Sequence, residues 1–303
     1  MAKNFPSQLL SNIVKVHGKV GEEWLASLNE RVDHFAKIWG LTQLNALSPL
    51  TYHYVLSAHK KDYAQPVVLK LGVPNPELSR EISALRQYHG KGAPLLIEHD
   101  AKQGALLMDA VVPGTTLKSY FPLHEAATLP IVAKVIQQLH LVKMPDSTDF
   151  VTIQQWHRSL MLAKASTFIP EDILAQAQQL SEQLIATQTK TVLLHGDLHH
   201  DNILVGKNNT WLAIDPKGII GDPTYEVGAF IRNPIPQLLQ QSDAKAIMRQ
   251  RIAGLASILK FDPDRVIQWA FVQAVLAACW SIEENDKASA DYFMRCAKFL
   301  KHG

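Results

Sequence analysis

The stretch LLHGDLHHDNIL, Leu193 to Leu204, with its sequel WLAIDPKG, Trp211 to Gly218, constrains this chain more than any other part of it. Two short apolar runs, Leu193–Leu194 and Ile203–Val205, bracket a loop that holds His195, Asp197 and Asn202. Trp211–Ile214 reads as a third short strand, and Asn208-Asn209 supplies the turn before it. A second aspartate, Asp215, follows at the end of that run. A loop held by a small hairpin is a rigid mount for polar groups.

The chemistry that suits such a mount is phosphoryl transfer. That reaction asks for a carboxylate to accept the proton of an attacking hydroxyl, and for oxygen ligands to magnesium on a triphosphate. Asp197 fits the first role. Asn202 and Asp215 fit the second, because hard cations take carboxylate and amide oxygens. A single loop aspartate would more often cap a turn. The combination of His195, Asp197, Asn202 five positions on and Asp215 at a strand end outweighs that reading.

The loop resembles the catalytic loop of the protein-kinase superfamily, His-Arg-Asp with a downstream Asn and then a metal-binding Asp. Gly196 stands where protein kinases have arginine, and Asp215-Pro216-Lys217 where they have Asp-Phe-Gly. HGDLHHDN is similar to the form found in small-molecule kinases of the aminoglycoside phosphotransferase type. AIDPKGIIGDPTYEVGAFIRNP, Ala213 to Pro234, resembles more narrowly the streptomycin 6-kinase and hydroxyurea-kinase branch. The resemblance covers nearly the whole chain. It implies an α+β, bilobal protein-kinase-like fold, with a small five-stranded antiparallel N-lobe over residues 1–110 and a mainly helical C-lobe over 111–303.

Length and charge agree with that expectation. A chain of 303 residues buries a sizeable core. A net charge of +2 gives no argument for nucleic acid or an anionic membrane as partner. No apolar run of transmembrane length stands out, and MAKNFPSQLL lacks the apolar centre of a signal peptide. Cys279 and Cys296, the only cysteines, lie in apolar helical contexts and read as reduced core thiols of a cytoplasmic protein.

Along the chain, Trp24, Leu25, Leu28, Val32, Phe35 and Trp39 recur at helical spacing and predict one helix from Glu22 to Gly40. Leu41–Leu47, Thr51–Ala58 and Pro66–Leu71 read as strands. In the kinase resemblance they open the small lobe. The Ser48-Pro49-Leu50 turn between the first two has no glycine, unlike the phosphate-covering loop of protein kinases, so coverage falls to N–H groups near Ser48 and Leu50. Lys70 ends the run VVLK, and Pro76–Tyr88 reads as a helix carrying Glu81, with Glu77 as a rival one turn earlier. The resemblance makes Lys70 the lysine that pairs the nucleotide phosphates and Glu81 its partner. A surface lysine is the plainer alternative.

Leu95–Ile97 and Ala105–Met108 predict two more strands. ALLMDAVVPGTTL, Ala105 to Leu117, resembles the hinge, where main-chain atoms of Asp109 and Val111 would meet the adenine edge and Met108 would line the pocket. Spaced apolar residues then predict helices over Leu123–Val142, Ile153–Ala165, Glu171–Ala186, Asp243–Leu259, Asp264–Ile282 and Lys287–Leu300, with Pro145 and Pro170 as breaks. His53, His140 and His157 read as core or surface histidines, His199 and His200 have no assigned chemistry, and no Cys/His cluster suggests zinc.

The resemblance implies transfer of the γ-phosphate of ATP, with Mg2+, to a hydroxyl of a small molecule. An aminoglycoside such as streptomycin is the favoured acceptor, and its inactivation the biological outcome. His195 would brace the loop. A cationic acceptor calls for carboxylates, and Asp222, Tyr225 and Glu226, together with Trp280 and Glu283, are the candidates. Against them stand an Asp222 that caps a helix near Thr224 and a Glu283 that is a solvated helix end. Kinases of hydroxyurea or another small hydroxyl metabolite, a protein kinase without its Ala-Pro-Glu hallmark, and an inactive nucleotide-binding protein are the competing readings. Oligomeric state is not legible.

Overall fold

The computed structural model describes residues 5–144 and 149–301. The chain divides into two compact units, Met1–Val112 and Pro113–Gly303.

In the first unit, helices α1 (Ser7–Ala26) and α2 (Leu28–Ile38) precede strands β1 (Leu41–Ala46), β2 (Tyr54–Lys60) and β3 (Pro66–Leu71). Helix α3 (Pro76–Tyr88) and strands β4 (Leu96–Asp100) and β5 (Ala105–Asp109) follow. The five strands form one antiparallel sheet in the order β1-β2-β3-β5-β4. Leu9, Ile13, Trp24, Leu28, Val32 and Phe35 from the two helices pack in one buried cluster with Leu56, Leu69 and Leu107 of the sheet.

The single helix expected from Glu22 to Gly40 is two helices, and the first begins fifteen residues earlier. Gly18 sits at φ 54°, which kinks α1 without ending it and hides the periodic Leu9 and Ile13 upstream. Ser27 interrupts the run because its Oγ donates to Trp24 O at 3.0 Å and accepts from Arg31 Nε at 2.9 Å, a local competitor to the helical ladder. Helix α3 has the bounds its sequence predicts. Asn75 caps it by accepting from the Leu78 N–H at 3.0 Å, Pro76 takes the first turn, and His89 ends it in the left-handed region.

The second unit contains α4 (Glu125–Leu139), β6 (Val151–Thr152), α5 (Ile153–Trp156), α6 (Arg158–Leu162), α7 (Glu171–Ala186), β7 (Val192–Leu194), β8 (Ile203–Val205), β9 (Trp211–Ala213) and β10 (Ile219–Gly221). Four helices complete it: α8 (Gly228–Ile231), α9 (Ala244–Leu259), α10 (Pro263–Glu283) and α11 (Lys287–Leu300). Strands β8 and β9 pair antiparallel, and their turn places Asn208 and Asn209 at φ 54° and 56°. Strand β7 pairs instead with β10, which the sequence reading missed, and β6 lies on the other side of β10. The helix expected over Ile153–Ala165 is broken at His157 into α5 and α6. The break expected at Pro145 lies outside the described residues.

Helix α10 corrects one expectation. Its 21 residues have the length and apolarity of a membrane span, but 72% of its apolar window is buried inside this unit. A helix that is apolar all round and packed on every side is a core helix.

Candidate active site

The His195–Asn202 loop leaves β7 and enters β8, and the Asp215 segment leaves β9 and enters β10. Three hydrogen bonds lash the two segments together. Ile214 N–H donates to Asn202 O at 2.9 Å, Lys217 N–H to His195 O at 2.7 Å, and His195 Nε2 to Ile214 O at 2.7 Å. The His195 ring is fully buried. Its Nδ1 accepts from the Asp197 N–H at 3.3 Å, so the proton belongs on Nε2. Burial pushes the imidazole below its ordinary range, which keeps it neutral against the pull of Glu226.

Gly196 adopts φ +83°, and a Cβ there would lie 2.5 Å from Ile219 Cδ1. The position that protein kinases give to arginine is therefore closed to a side chain here. The neighbouring Asp197 carboxylate is about one-third exposed. Partial burial pushes its pKa up, but the charges of His199, Lys217 and Arg232 outweigh that and hold it below the ordinary carboxylate value. It is an ionised acceptor. His199 Nε2 stands 3.8 Å from Asp197 Oδ2.

Asn202 donates its Nδ2 to Asp197 O at 3.0 Å, which orients the amide and leaves Oδ1 as its acceptor. Asp215 occupies the left-handed region at φ 62°, directly after β9. These are an amide oxygen and a carboxylate on backbone segments that hydrogen-bond each other. No group of three or more His, Cys, Asp or Glu that could hold a metal occurs among the described residues. An amide oxygen and a carboxylate are donors of the kind that a hard cation takes alongside phosphate and water oxygens.

In the first unit, Lys70 on β3 donates to both carboxylate oxygens of Glu81 on α3, at 2.7 and 2.8 Å. Both side chains are buried. Glu81, not Glu77, is the partner these bonds select. Asp109 ends β5 with its N–H committed to Leu95 O at 3.0 Å and its carboxylate Oδ1 accepting from the Tyr63 hydroxyl at 2.6 Å, so its main chain can offer a ligand only the carbonyl. Val111 lies just past the strand and is half-buried, whereas Ser48 is exposed in the turn between β1 and β2.

The acceptor candidates separate into two groups. Asp222, Tyr225 and Glu226 are internal, and their position corrects the expectation that they face a ligand. Asp222 accepts from Thr224 N–H and Oγ1 at 2.9 and 2.6 Å, from Trp269 Nε1 at 3.1 Å and from Arg265 Nε. That is the capping role weighed against it, reinforced by a part-buried ion pair. Tyr225 is buried against His157, whose Nε2 lies 3.2 Å from its hydroxyl and whose Nδ1 bonds Ser181 Oγ at 2.7 Å. Glu226 accepts from the His195 and Gly196 N–H groups at 2.8 and 2.9 Å, and His140 Nε2 lies 3.2 Å away. Burial raises its pKa, but His140, His195 and the Gly196 N–H outweigh this and keep it ionised. It fastens the loop from within. Trp280, by contrast, is half-buried and Glu283 exposed.

Sequence reasoning also missed Arg251. This guanidinium is fully buried, bonds Glu125 through Nε and a terminal nitrogen at 2.6 and 3.0 Å, and donates to the carbonyls of Phe230, Ile231 and Asn233. It also meets His200 Nε2 at 3.3 Å, and burial together with that positive charge holds His200 neutral. The only sequence signal was an arginine amid the apolar positions of a predicted helix.

Comparison with known proteins places this geometry. A family model described as aminoglycoside/hydroxyurea antibiotic resistance kinase matches residues 42–285. The chain is 26% identical to a streptomycin 6-kinase of Streptomyces glaucescens, over 93% of this chain and 92% of that protein. It is 27% identical to a hydroxyurea phosphotransferase of Kitasatospora aureofaciens, over 97% of this chain and 85% of that protein. In fold it is similar to a thermostable mutant of an aminoglycoside phosphotransferase solved with AMP-PNP and hygromycin B, with a TM-score of 0.64 at 15% identity, covering 90% of this chain and 97% of that one. The α+β fold with its five-stranded antiparallel sheet is thus the kinase-like fold. With most of its length inside the matched family model, the chain belongs to the aminoglycoside/hydroxyurea antibiotic resistance kinases.

Proposed function

We propose that this protein transfers the γ-phosphate of ATP to a hydroxyl of a streptomycin-like aminoglycoside and so inactivates it. The observation that carries the reading is the ionised Asp197, tied through Glu226 and His195 to the Asn202–Asp215 pair. The similarity to a streptomycin 6-kinase over nearly the full length supports the acceptor class.

Asp197 accepts a hydrogen bond from the acceptor hydroxyl and takes its proton as the new O–P bond forms and the bond to the ADP oxygen breaks. Its depressed pKa suits a late proton transfer, in which aligning the hydroxyl matters more than basicity. Asn202 Oδ1 and the Asp215 carboxylate would hold magnesium, which neutralises phosphate charge when bound. Lys70, held by Glu81, adds a cation for the nucleotide phosphates. The main chain at Asp109 and Val111 meets the adenine edge, and the turn at Ser48 covers phosphate. Domain roles follow: nucleotide binding over residues 1–110, and catalysis with acceptor binding over 111–303. Cytoplasmic ATP supplies the donor, and Cys279 and Cys296 are buried free thiols with pKa values pushed up to about 12 by burial, consistent with inert core positions.

The test is ATP consumption with and without streptomycin, beside an acceptor screen that includes hydroxyurea and neutral alcohols. Streptomycin-dependent ADP release is expected. Asp197→Asn should lower turnover by about 10²–10⁴ and leave nucleotide affinity intact. Near-normal turnover in that variant defeats the assignment. A preference for hydroxyurea moves the acceptor to the chemistry of the second relative.

A further inference from the structure

Helices α5 and α6 face the end of α10 through two matched pairs of side chains. Trp156 and Trp280 meet edge to face, with ring centroids 5.3 Å apart and planes at 73°. Three residues further along each chain segment, Ser159 Oγ reaches Glu283 Oε2 at 3.4 Å. Both indoles are half-buried and Glu283 is exposed, so part of each ring and the carboxylate reach solvent. Core tryptophans of this unit behave otherwise, since Trp269 is fully buried and its N–H is committed to Asp222.

The pair is also linked to the reacting loop. Trp156 directly precedes His157, whose Nε2 lies 3.2 Å from the Tyr225 hydroxyl, and the adjoining Glu226 holds the His195 and Gly196 N–H groups. The oxygens of Asp222, by contrast, are filled by Thr224, Trp269 and Arg265.

Two indole surfaces beside a solvent-facing carboxylate form a receptor for an organic cation. A ring face attracts a cation through its quadrupole, tryptophan most strongly, and a carboxylate at the rim accepts N–H hydrogen bonds from the same group. A planar guanidinium fits better than a compact ammonium, because it stacks on an aromatic face while its edge donates to the carboxylate. A small neutral acceptor would use neither feature. We propose that Trp156, Trp280 and Glu283 form a subsite for a guanidinium group of the acceptor, and that this subsite selects cationic polyols over neutral hydroxyl compounds. The inference rests on the phosphotransferase reading for its place in the reaction. It extends that reading from one acidic residue to a composite aromatic site including Trp156.

The test is tryptophan-fluorescence titration of the full chain carrying Asp197→Asn, so that turnover does not consume the ligand. Streptomycin is the guanidinium probe and hydroxyurea the neutral one. Saturable quenching by streptomycin and none by hydroxyurea is expected. Trp280→Leu should weaken streptomycin binding by about 5–30-fold, the range of a desolvated cation–π contact. Glu283→Gln, an exposed change that does not threaten folding, should weaken it several-fold, and in the chain with Asp197 intact should raise the streptomycin KM with the ATP KM unmoved. Unchanged streptomycin affinity in both Glu283→Gln and Trp280→Leu overturns the subsite. Phosphorylation of hydroxyurea with no transfer to streptomycin also overturns it, while the kinase reading stands. Saturable, Glu283-dependent streptomycin quenching with no transfer to any acceptor supports the subsite and defeats the kinase reading instead.

Discussion

In the first unit Lys70 meets Glu81 side chain to side chain, both buried and drawn from neighbouring elements eleven residues apart. In the second unit the buried Glu226 spends its oxygens on backbone N–H groups about thirty residues away. The first arrangement holds the charge that the proposed mechanism turns toward phosphate. The second holds a loop in shape and offers its charge to nothing outside the protein. The difference lies in what each carboxylate holds: Glu81 fixes a side-chain cation, whereas Glu226 fixes the backbone N–H groups of the loop that carries Asp197.

The largest effect should come from splitting the first pair. Glu81→Gln leaves Lys70 buried without its countercharge, which costs about 3–5 kcal/mol in chemical denaturation. The double change Lys70→Met with Glu81→Leu should recover most of that stability while turnover stays lost, because a buried ion pair is close to neutral against apolar replacements. A double variant as unstable as the single one would make this pair scaffold as well, and the contrast between the units would fail.

Glu226→Gln tests the other side. The amide keeps one acceptor oxygen but turns an NH2 toward the second donor, so roughly 2–3 kcal/mol should be lost from a charged hydrogen bond. The expected kinetic signature is a fall in kcat with nucleotide affinity preserved, since the loop carrying Asp197 loosens. A rise in acceptor KM alone, with kcat intact, would return Glu226 to the ligand-facing role that its place in the family string suggested.

That role illustrates what a sequence exposes and what it hides. Pro76–Tyr88, Glu171–Ala186, Lys287–Leu300 and the strand Pro66–Leu71 have the bounds their patterns predict, because caps and apolar periods act over a few neighbouring residues. The Lys70–Glu81 contact was legible through the family resemblance, which favoured Glu81 over its rival Glu77. Strand β10 was not, since its Ile219–Gly221 run is too short to show a period and is defined only by its partners β6 and β7. Likewise, the Arg251–Glu125 pair joins residues 126 positions apart. The roles of Asp222 and Glu226 turned on the same long-range geometry. Their acidity was visible, but donors far along the chain consume it, Trp269 and Arg265 at Asp222 beside the local Thr224, and His195 and Gly196 at Glu226.

A smaller effect separates the units by pH. Burial holds His157 at about 3, far below its ordinary 6.5. The unfolded chain therefore binds a proton between those values that the folded chain refuses, so stability falls as pH drops through 6.5 and continues falling toward 3. Each pH unit well inside that window costs about 1.4 kcal/mol, or roughly 2 kcal/mol by pH 5. The buried neutral His195 and His200 add in the same direction. Denaturation midpoints should thus decline from pH 7 to pH 5, and His157→Gln should flatten the slope at a lower starting stability. A flat profile for the unaltered protein would mean that His157 is reached by water.

The smallest effect is expected where an ion pair borders the reacting loop but remains in solvent. Lys118 stands 3.3 Å from Asp201, and the two side chains are 32% and 42% exposed. Water screens both charges and ordering two long side chains costs entropy, so exposed pairs contribute about 0–1 kcal/mol. Lys118→Ala should therefore shift the melting temperature by no more than about 3 °C at low salt. The variant and the unaltered protein should converge near 1 M salt, where the screening length is about 3 Å. A salt-insensitive loss larger than that would show Lys118 acting as Glu226 does, bracing the loop through contacts other than charge.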